Sequence, residues 1–407
     1  VFQINILPDR KAGYYLACIA ILCLLSGTIS SQRTSLSFDD EIQEDVFVIE
    51  FNVSDRDAKA VKEDLDFDVE FKNPEILISG SSYHVKSITT RGKSSLKQQR
   101  KSYTVKLEDN AIVQFKSGDR ELKNFYLISM SMDRNYVHNR FAFDCLNALG
   151  IFPLSHRYIA LKINDHDEGI YLLTERPFDF LIDEIGAPYA LRRLRSGAID
   201  KDKLADGLPS SDLKKYRKHF KQVLNSIKET EGSESFAILD AQIDMEAYMR
   251  WLAFNYIVRN GDYTDEVYYY ILPNSDAMRF GIMSWDFDDI LAREPHEGKA
   301  AREHSYKDKL LFSLEDPLDR KIVGDTTLYA QYLNELQSVI DILSENQLKT
   351  ILENIYADLL PYFRQSNIVS QSQLDAFGET NENELREYLQ KLYDYVRNRE
   401  NKVLTHY

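Results

Sequence analysis

Two aspartates at the ends of a hairpin are the residues on which this sequence can build chemistry. The stretch 244–289 reads as a helix, a polar elbow, a tight hairpin and an acidic exit. Asp262 enters the hairpin and Asp286 leaves it, and antiparallel pairing brings such ends together. A hard divalent cation takes oxygen ligands, which suits Asp286 to a metal. Asp262 suits the orienting of an acceptor hydroxyl, and Lys101 is a candidate cation for a nucleotide. Metal, carboxylate and cation are what phosphoryl transfer asks of a protein. Taken singly, the same residues also read as hairpin-end caps and a surface salt bridge.

The elements that must position them follow from pattern. Asp244 is a good N-cap with Glu246 in the first turn. Met245, Tyr248, Met249, Leu252, Ala253 and Tyr256 recur at helical spacing, which predicts one buried face. The pattern breaks at Arg259-Asn260-Gly261-Asp262; strands are expected over 267–272 and 278–283 around the turn 273–276. Upstream, strands are expected over 46–53, 67–71, 75–78, 83–90, 101–107, 125–130, 158–163 and 169–174, with helices over 55–64 and 134–149. By period two, Lys101 shares the face of Tyr103, Val105 and Leu107, so it either meets an anionic partner or reaches water from the strand end. From Phe178 on the chain reads as mainly helical, with long patterns over 328–362 and 382–403. A strand-rich half followed by a helical half, with paired aspartates around a hairpin, is the α+β layout of a two-lobed kinase-like fold. The lobes are expected over 46–177 and 178–407, the second carrying the hairpin 262–289.

Composition narrows the class. The chain has 407 residues, 43% hydrophobic and 12% aromatic, enough for a substantial core. Its formal net charge of -15 argues against a nucleic-acid partner, which calls for a basic footprint. Residues 12–26 are apolar, follow Arg10 and Lys11, and precede small and polar residues. That is the pattern of a secretory signal over 1–31, or of an N-terminal anchor if uncleaved, with a linker over 32–45. Cys18 and Cys23 leave with a cleaved signal, and Cys145 then remains as a core residue in a chain without disulfides. Gly92-Lys93-Ser94 is not a P-loop, because Ser87 stands where the motif needs glycine. The acidic turn 164–167 lacks the length of a calcium loop, and His296 and His304 lack zinc-site spacing. The basic run 214–218 reads as a solvated helix face.

Four blocks then resemble the CotH family of kinase-like secreted and spore-coat proteins. Thr90-Arg91-Gly92 through Lys101-Ser102-Tyr103 is similar to its Arg-Gly…Lys-Lys-Ser-Tyr hairpin. Asp133 through Arg140 to Leu149-Gly150 is similar to its Asp…Arg-Asn-Lys…Leu-Gly helix, with Asn139 at the Asn. Glu168-Gly169-Ile170-Tyr171-Leu172 through Glu175 resembles its Gly-Val-Tyr-Leu…Glu hairpin. Tyr248 through Asp262, then Trp285-Asp286-Phe287-Asp288, resembles its Asn-x-Asp…Trp-Asp-x-Asp signature. The resemblance implies an atypical protein kinase that uses ATP with Mg2+ or Mn2+ and modifies Ser or Thr of exported or surface proteins, outside the cytoplasm or at the cell surface. Membrane attachment, on this reading, runs only through an uncleaved N-terminal segment. It assigns Asp262 as the catalytic-loop aspartate, Asp286 as the metal ligand and Asp288 as a second ligand or a cap. Lys101 is assigned to the nucleotide phosphates, with Arg91 and Glu175 as cofactor-binding positions. Five residues after Asp262, where the pattern has Asn for a second metal, stands Val267, preceded by Asp265 and Glu266. Two other outcomes fit the same resemblance: a non-catalytic surface adhesin or assembly protein, and transfer of another group from ATP, such as adenylyl.

Overall fold

The computed structural model describes residues 35–405, apart from 42–44, 64–68, 93, 195–196, 231, 233, 274–277, 297–308 and 373–380. The expected signal over 1–31 lies outside the described residues. Phe38–Tyr407 forms one compact unit.

Alternating apolar residues over the first half build a large sheet. Its strands are β1 (Val48–Asn52), β2 (Glu75–Ile78), β3 (Ser81–Tyr83), β4 (Val85–Arg91), β5 (Ser102–Phe115), β6 (Gly118–Ile128), β7 (His156–Ile163) and β8 (His166–Glu175). They lie in the order β3-β2-β1-β7-β8-β6-β5-β4. Neighbours are antiparallel except β1 with β7, where Ile49 faces Leu161 in parallel register. Ile49, Phe51, Tyr103, Val105, Phe125, Leu127, Ile159, Leu161, Tyr171 and Leu173 form one continuous core on a single face, as a period of two requires. The hairpin of β5 and β6 is much longer than the strand patterns 101–107 and 125–130 suggest. Ala111, Val113 and Phe115 extend the buried alternation past the charged interruption Glu108-Asp109-Asn110, where the register shifts.

The region after Phe178 is not only helical. It contains a second sheet of β9 (Tyr189–Arg193), β10 (Ile199–Leu204), β11 (Val267–Ile271) and β12 (Phe280–Ser284), in the order β10-β9-β11-β12. The expected hairpin is present as β11 and β12, with Val267 opposite Ser284, its return strand beginning at Phe280 rather than 278; most of the expected turn lies outside the described residues. The β9–β10 hairpin corrects the helical expectation. Its edge strand, Ile-Asp-Lys-Asp-Lys-Leu, is half-exposed and charged, so it offers little apolar period, and β9 is held by pairing with β11 from far along the chain.

Helices complete the body: α1 (Asp55–Glu63), α2 (His138–Ala148), α3 (Ser210–Glu229), α4 (Ser235–Asp240), α5 (Met245–Val258), α6 (Pro317–Gly324), α7 (Thr326–Ile342), α8 (Glu345–Phe363), α9 (Ser366–Ser372) and α10 (Glu382–Leu404). A π-helical turn over Phe180–Glu184 joins the two sheets. The pattern over 134–149 splits into a 3-10 turn (Arg134–Tyr136) and α2, because Asn135 and Tyr136 take positive φ and the Asp133 carboxylate accepts from the N–H of His138 (2.7 Å) and Asn139 (2.8 Å). The pattern over 328–362 likewise breaks into α7 and α8, with Ser344 capping the second. Asp244 caps α5 as expected, accepting from Ala247 N–H. That helix is buried on nearly every side rather than on one face, since α7 and the second sheet enclose it. Among the described residues, no helix is long and apolar enough to cross a membrane.

Candidate active site

Helix α5 ends where Arg259 turns left-handed at φ 55°. The elbow Asn260-Gly261-Asp262 follows, then a 3-10 turn (Tyr263–Asp265), Glu266 and β11. Strand β12 returns into Trp285 and Asp286, itself at φ 53°. Backbone bonds stitch the elbow to the exit: Trp285 N–H to Glu266 O (2.9 Å), Gly261 N–H to Asp289 O (2.9 Å), Leu291 N–H to Val258 O (2.9 Å) and Ala292 N–H to Arg259 O (3.0 Å). The Asn260 amide adds a bond to Asp286 O at 3.1 Å. Contact is so close at Gly261 that a Cβ there would lie 1.9 Å from Asp289 Oδ2.

Two further walls enclose the acidic exit. Helix α2 supplies Asn139, whose side-chain oxygen accepts from Phe287 N–H (2.9 Å), and His138, whose Nδ1–H donates to Asp288 O (2.9 Å) while its Nε2 meets the Tyr388 hydroxyl of α10. Strand β9 supplies Arg192, which donates to Glu266 Oε1 (2.5 Å) and to Asp265 O (3.3 Å). Arg91, at the end of β4, lies over the Tyr126 ring at 3.9 Å, and Tyr126 packs edge-on against Trp285 at 5.9 Å.

The electrostatics are those of a largely buried acidic cluster flanked by two guanidinium groups. Burial raises the pKa of Asp286, and the positive charges of Arg91 and Arg192 oppose the rise. Asp288 is pushed well above the usual carboxylate range by burial, and then by the charges of Asp286, Asp133, Asp289 and Asp262. Glu266 is raised in the same way, by burial and by Asp286, with Arg192 opposing. Carboxylates crowded like this need positive charge among them.

One subset meets the geometric demand of a cation. Asp262, Asp265 and Glu266 each bring a carboxylate oxygen within 4.8 Å of the others. Hard oxygens at that spacing suit a divalent metal. Glu266 Oε2 is buried with no hydrogen-bond partner, which fits the same demand. Asp286 and Asp288 stand close enough to perturb Glu266 and each other.

A family model described as CotH kinase protein matches residues 88–403. The chain belongs to the CotH kinase protein family. It is also similar to the inner spore coat protein H of Bacillus subtilis (strain 168), at 24% identity over 239 residues, or 53% of this chain and 59% of that relative. The chain thus matches less than two thirds of the relative's length.

For this CotH chain, the structure gathers Asp262, Asp286 and Asp288 at one place, with Arg91 beside them. Lys101 is buried and directed into its own loop, where its ammonium donates to Gln98 O (2.6 Å) and Leu96 O. It is buried, as parity has it, and carbonyls of its own loop are among its partners. Glu175 is buried at the end of β8, where its carboxylate accepts from Ser155 N–H at 2.7 Å and burial raises its pKa. Arg192 and Asp289 escape the sequence reading. The turn glycine Gly197 between two short runs is the local signal for the hairpin that delivers Arg192. Nothing local marks Asp289 apart from its neighbours.

Proposed function

We propose that this CotH-family chain is a divalent-metal-dependent atypical protein kinase that transfers phosphate from ATP to Ser or Thr of exported or surface proteins. The observation that carries the proposal is the convergence of Asp262, Asp265 and Glu266 within 4.8 Å at the hairpin entrance, beside Asp286 and Asp288 at its exit. In this reading Mg2+ or Mn2+ supplies charge neutralisation for the phosphates. Asp265 and Glu266 take the place of the missing Asn as metal ligands, while Val267 packs in the core. Asp262 is half-exposed and orients the acceptor hydroxyl. Arg91 and Arg192, whose charges act on Asp286, are the cations offered to the phosphates. Two lobes are part of the proposal: the large sheet comes wholly from 48–175, and the second sheet and all helices but α1 and α2 come after 177. Export is supported by the signal pattern and by the relative's name as an inner spore coat protein.

The test is transfer from labelled ATP to casein with Mg2+ or Mn2+, beside an Asp286→Ala protein. Label that reaches casein and is lost in the variant, with an added mass of one phosphate, is the expected result. An adenylyl mass would redirect the proposal to nucleotidyl transfer. Lys101 favours one second reading: with its ammonium engaged by loop carbonyls, a non-catalytic surface protein on the same fold is the alternative. Absence of both transfer and metal-dependent ATP binding would make it the leading account.

A further inference from the structure

Beneath the acidic elbow lies a buried polar cage. Asp319 of α6 is fully buried and accepts from the Tyr263 hydroxyl at Oδ2 (2.9 Å) and from the Tyr248 hydroxyl at Oδ1 (2.7 Å). Asp316, the N-cap of α6, pairs with Arg193 of β9 at 3.0 Å. Arg193 is 1% exposed and donates to Thr264 O (2.8 Å), Tyr269 Oη (3.1 Å) and Tyr248 Oη (3.2 Å). Trp251 of α5 closes the cage edge-on against Tyr263 at 5.3 Å.

One arginine and two aspartates buried together are an expensive way to hold a core, since apolar residues of the same volume stabilise as well or better. What the cage has that an apolar core lacks is direction. It reaches the elbow at two consecutive residues, Tyr263 by its hydroxyl and Thr264 by its carbonyl. These are the two residues between Asp262 and Asp265. Three carboxyl groups within 4.8 Å repel one another whenever all are ionised, and a short 3-10 turn has few bonds of its own to resist opening. We propose that Asp319 and Arg193 are positioning residues: acting through Tyr263 and Thr264, they clamp the turn so that Asp265 and Glu266 stay gathered for the metal with Asp262 beside them. The proposal rests on the metal-site reading of the elbow.

The experiment compares the full chain with Tyr263→Phe and Tyr248→Phe. Both remove a hydroxyl from the same Asp319 carboxylate, Tyr248→Phe taking an acceptor from Arg193 as well, but only Tyr263 lies in the 3-10 turn between Asp262 and Asp265. Mn2+ alone is titrated by calorimetry, and hydrogen exchange is followed on peptides covering 259–267. Tyr263→Phe is expected to weaken Mn2+ about tenfold and to speed exchange of the elbow amides. Tyr248→Phe should stay within about twofold of the parent on both readouts, for a comparable loss of thermal stability. Equal effects of the two variants on affinity and exchange would overturn the proposal. A parent chain that binds no Mn2+ would overturn the metal reading, and exchange would then decide the clamp by itself.

Discussion

Glu266→Gln separates what a buried charge does to the fold from what it does for the site. Glu266 keeps Arg192 on Oε1, leaves Oε2 without a partner, and is raised by burial and by Asp286. A raised acid holds its proton in the folded chain over a pH range where the unfolded chain has lost it. Stability therefore falls as pH rises from the unfolded value toward the folded one, by about 1.4 kcal/mol for each pH unit crossed. Glutamine preserves an oxygen for Arg192 and removes the charge. The metal-free variant should thus melt higher than the parent at pH 8, by ~1–2 °C for each kcal/mol in a domain of this size. Metal works in the opposite direction. With Mn2+ at a hundred times its Kd the parent gains about 2.7 kcal/mol. Loss of a carboxylate ligand should weaken binding by about a hundredfold, which leaves roughly 0.4 kcal/mol at the same Mn2+ concentration. Scanning calorimetry at pH 8, with and without Mn2+, reads both effects. A variant that melts lower without metal and keeps the parent's metal-induced rise would refute the reasoning.

Four further outcomes follow from single contacts. Gly261→Ala drives a methyl against Asp289 Oδ2 at 1.9 Å, so it should lose about 1–3 kcal/mol in denaturant unfolding and most of its Mn2+ affinity. Glu400 of α10 is fully buried against Arg397, and burial raises its pKa to about 7. The parent should lose stability between pH ~4.5 and ~7, and Glu400→Gln should be stabilised above that window by up to ~3 kcal/mol but not below pH 4, as urea titrations at the two pH values would show. Arg91→Leu should raise the KM for ATP about tenfold, because Arg91 is the guanidinium beside Asp286 on the large sheet. Lys101→Met should instead act on stability, at ~1–3 kcal/mol, because it frees the carbonyls of Leu96 and Gln98 from a buried ammonium. Steady-state kinetics together with unfolding curves distinguish the two.

The legible part of this protein is the part whose causes are local. Asp244 caps α5, the β-branched and aromatic run 267–271 makes a strand, and the polar elbow at 259–262 interrupts the helix, each within a few residues of its cause. From these alone Asp262 and Asp286 fall together, since a hairpin leaves its ends nowhere else to go. The helix starting at 138 rather than 134 is a local matter read too coarsely, because the cap is the side chain of Asp133, five residues before the first bond it receives.

What escaped depends on distance along the chain. Strand β9 reads poorly by itself and is held by β11, more than seventy residues away, so neither Arg192 nor Arg193 announces its role. Parity turns Lys101 inward but says nothing of what waits there, which includes carbonyls of its own loop. Period two determines which side of a strand is buried, while helical spacing under-reads α5, which is covered on nearly every side. Only the packing of elements decides which charges then face each other. In this chain that packing sets Arg91 and Arg192 beside Asp286, and Asp319 beneath Tyr263.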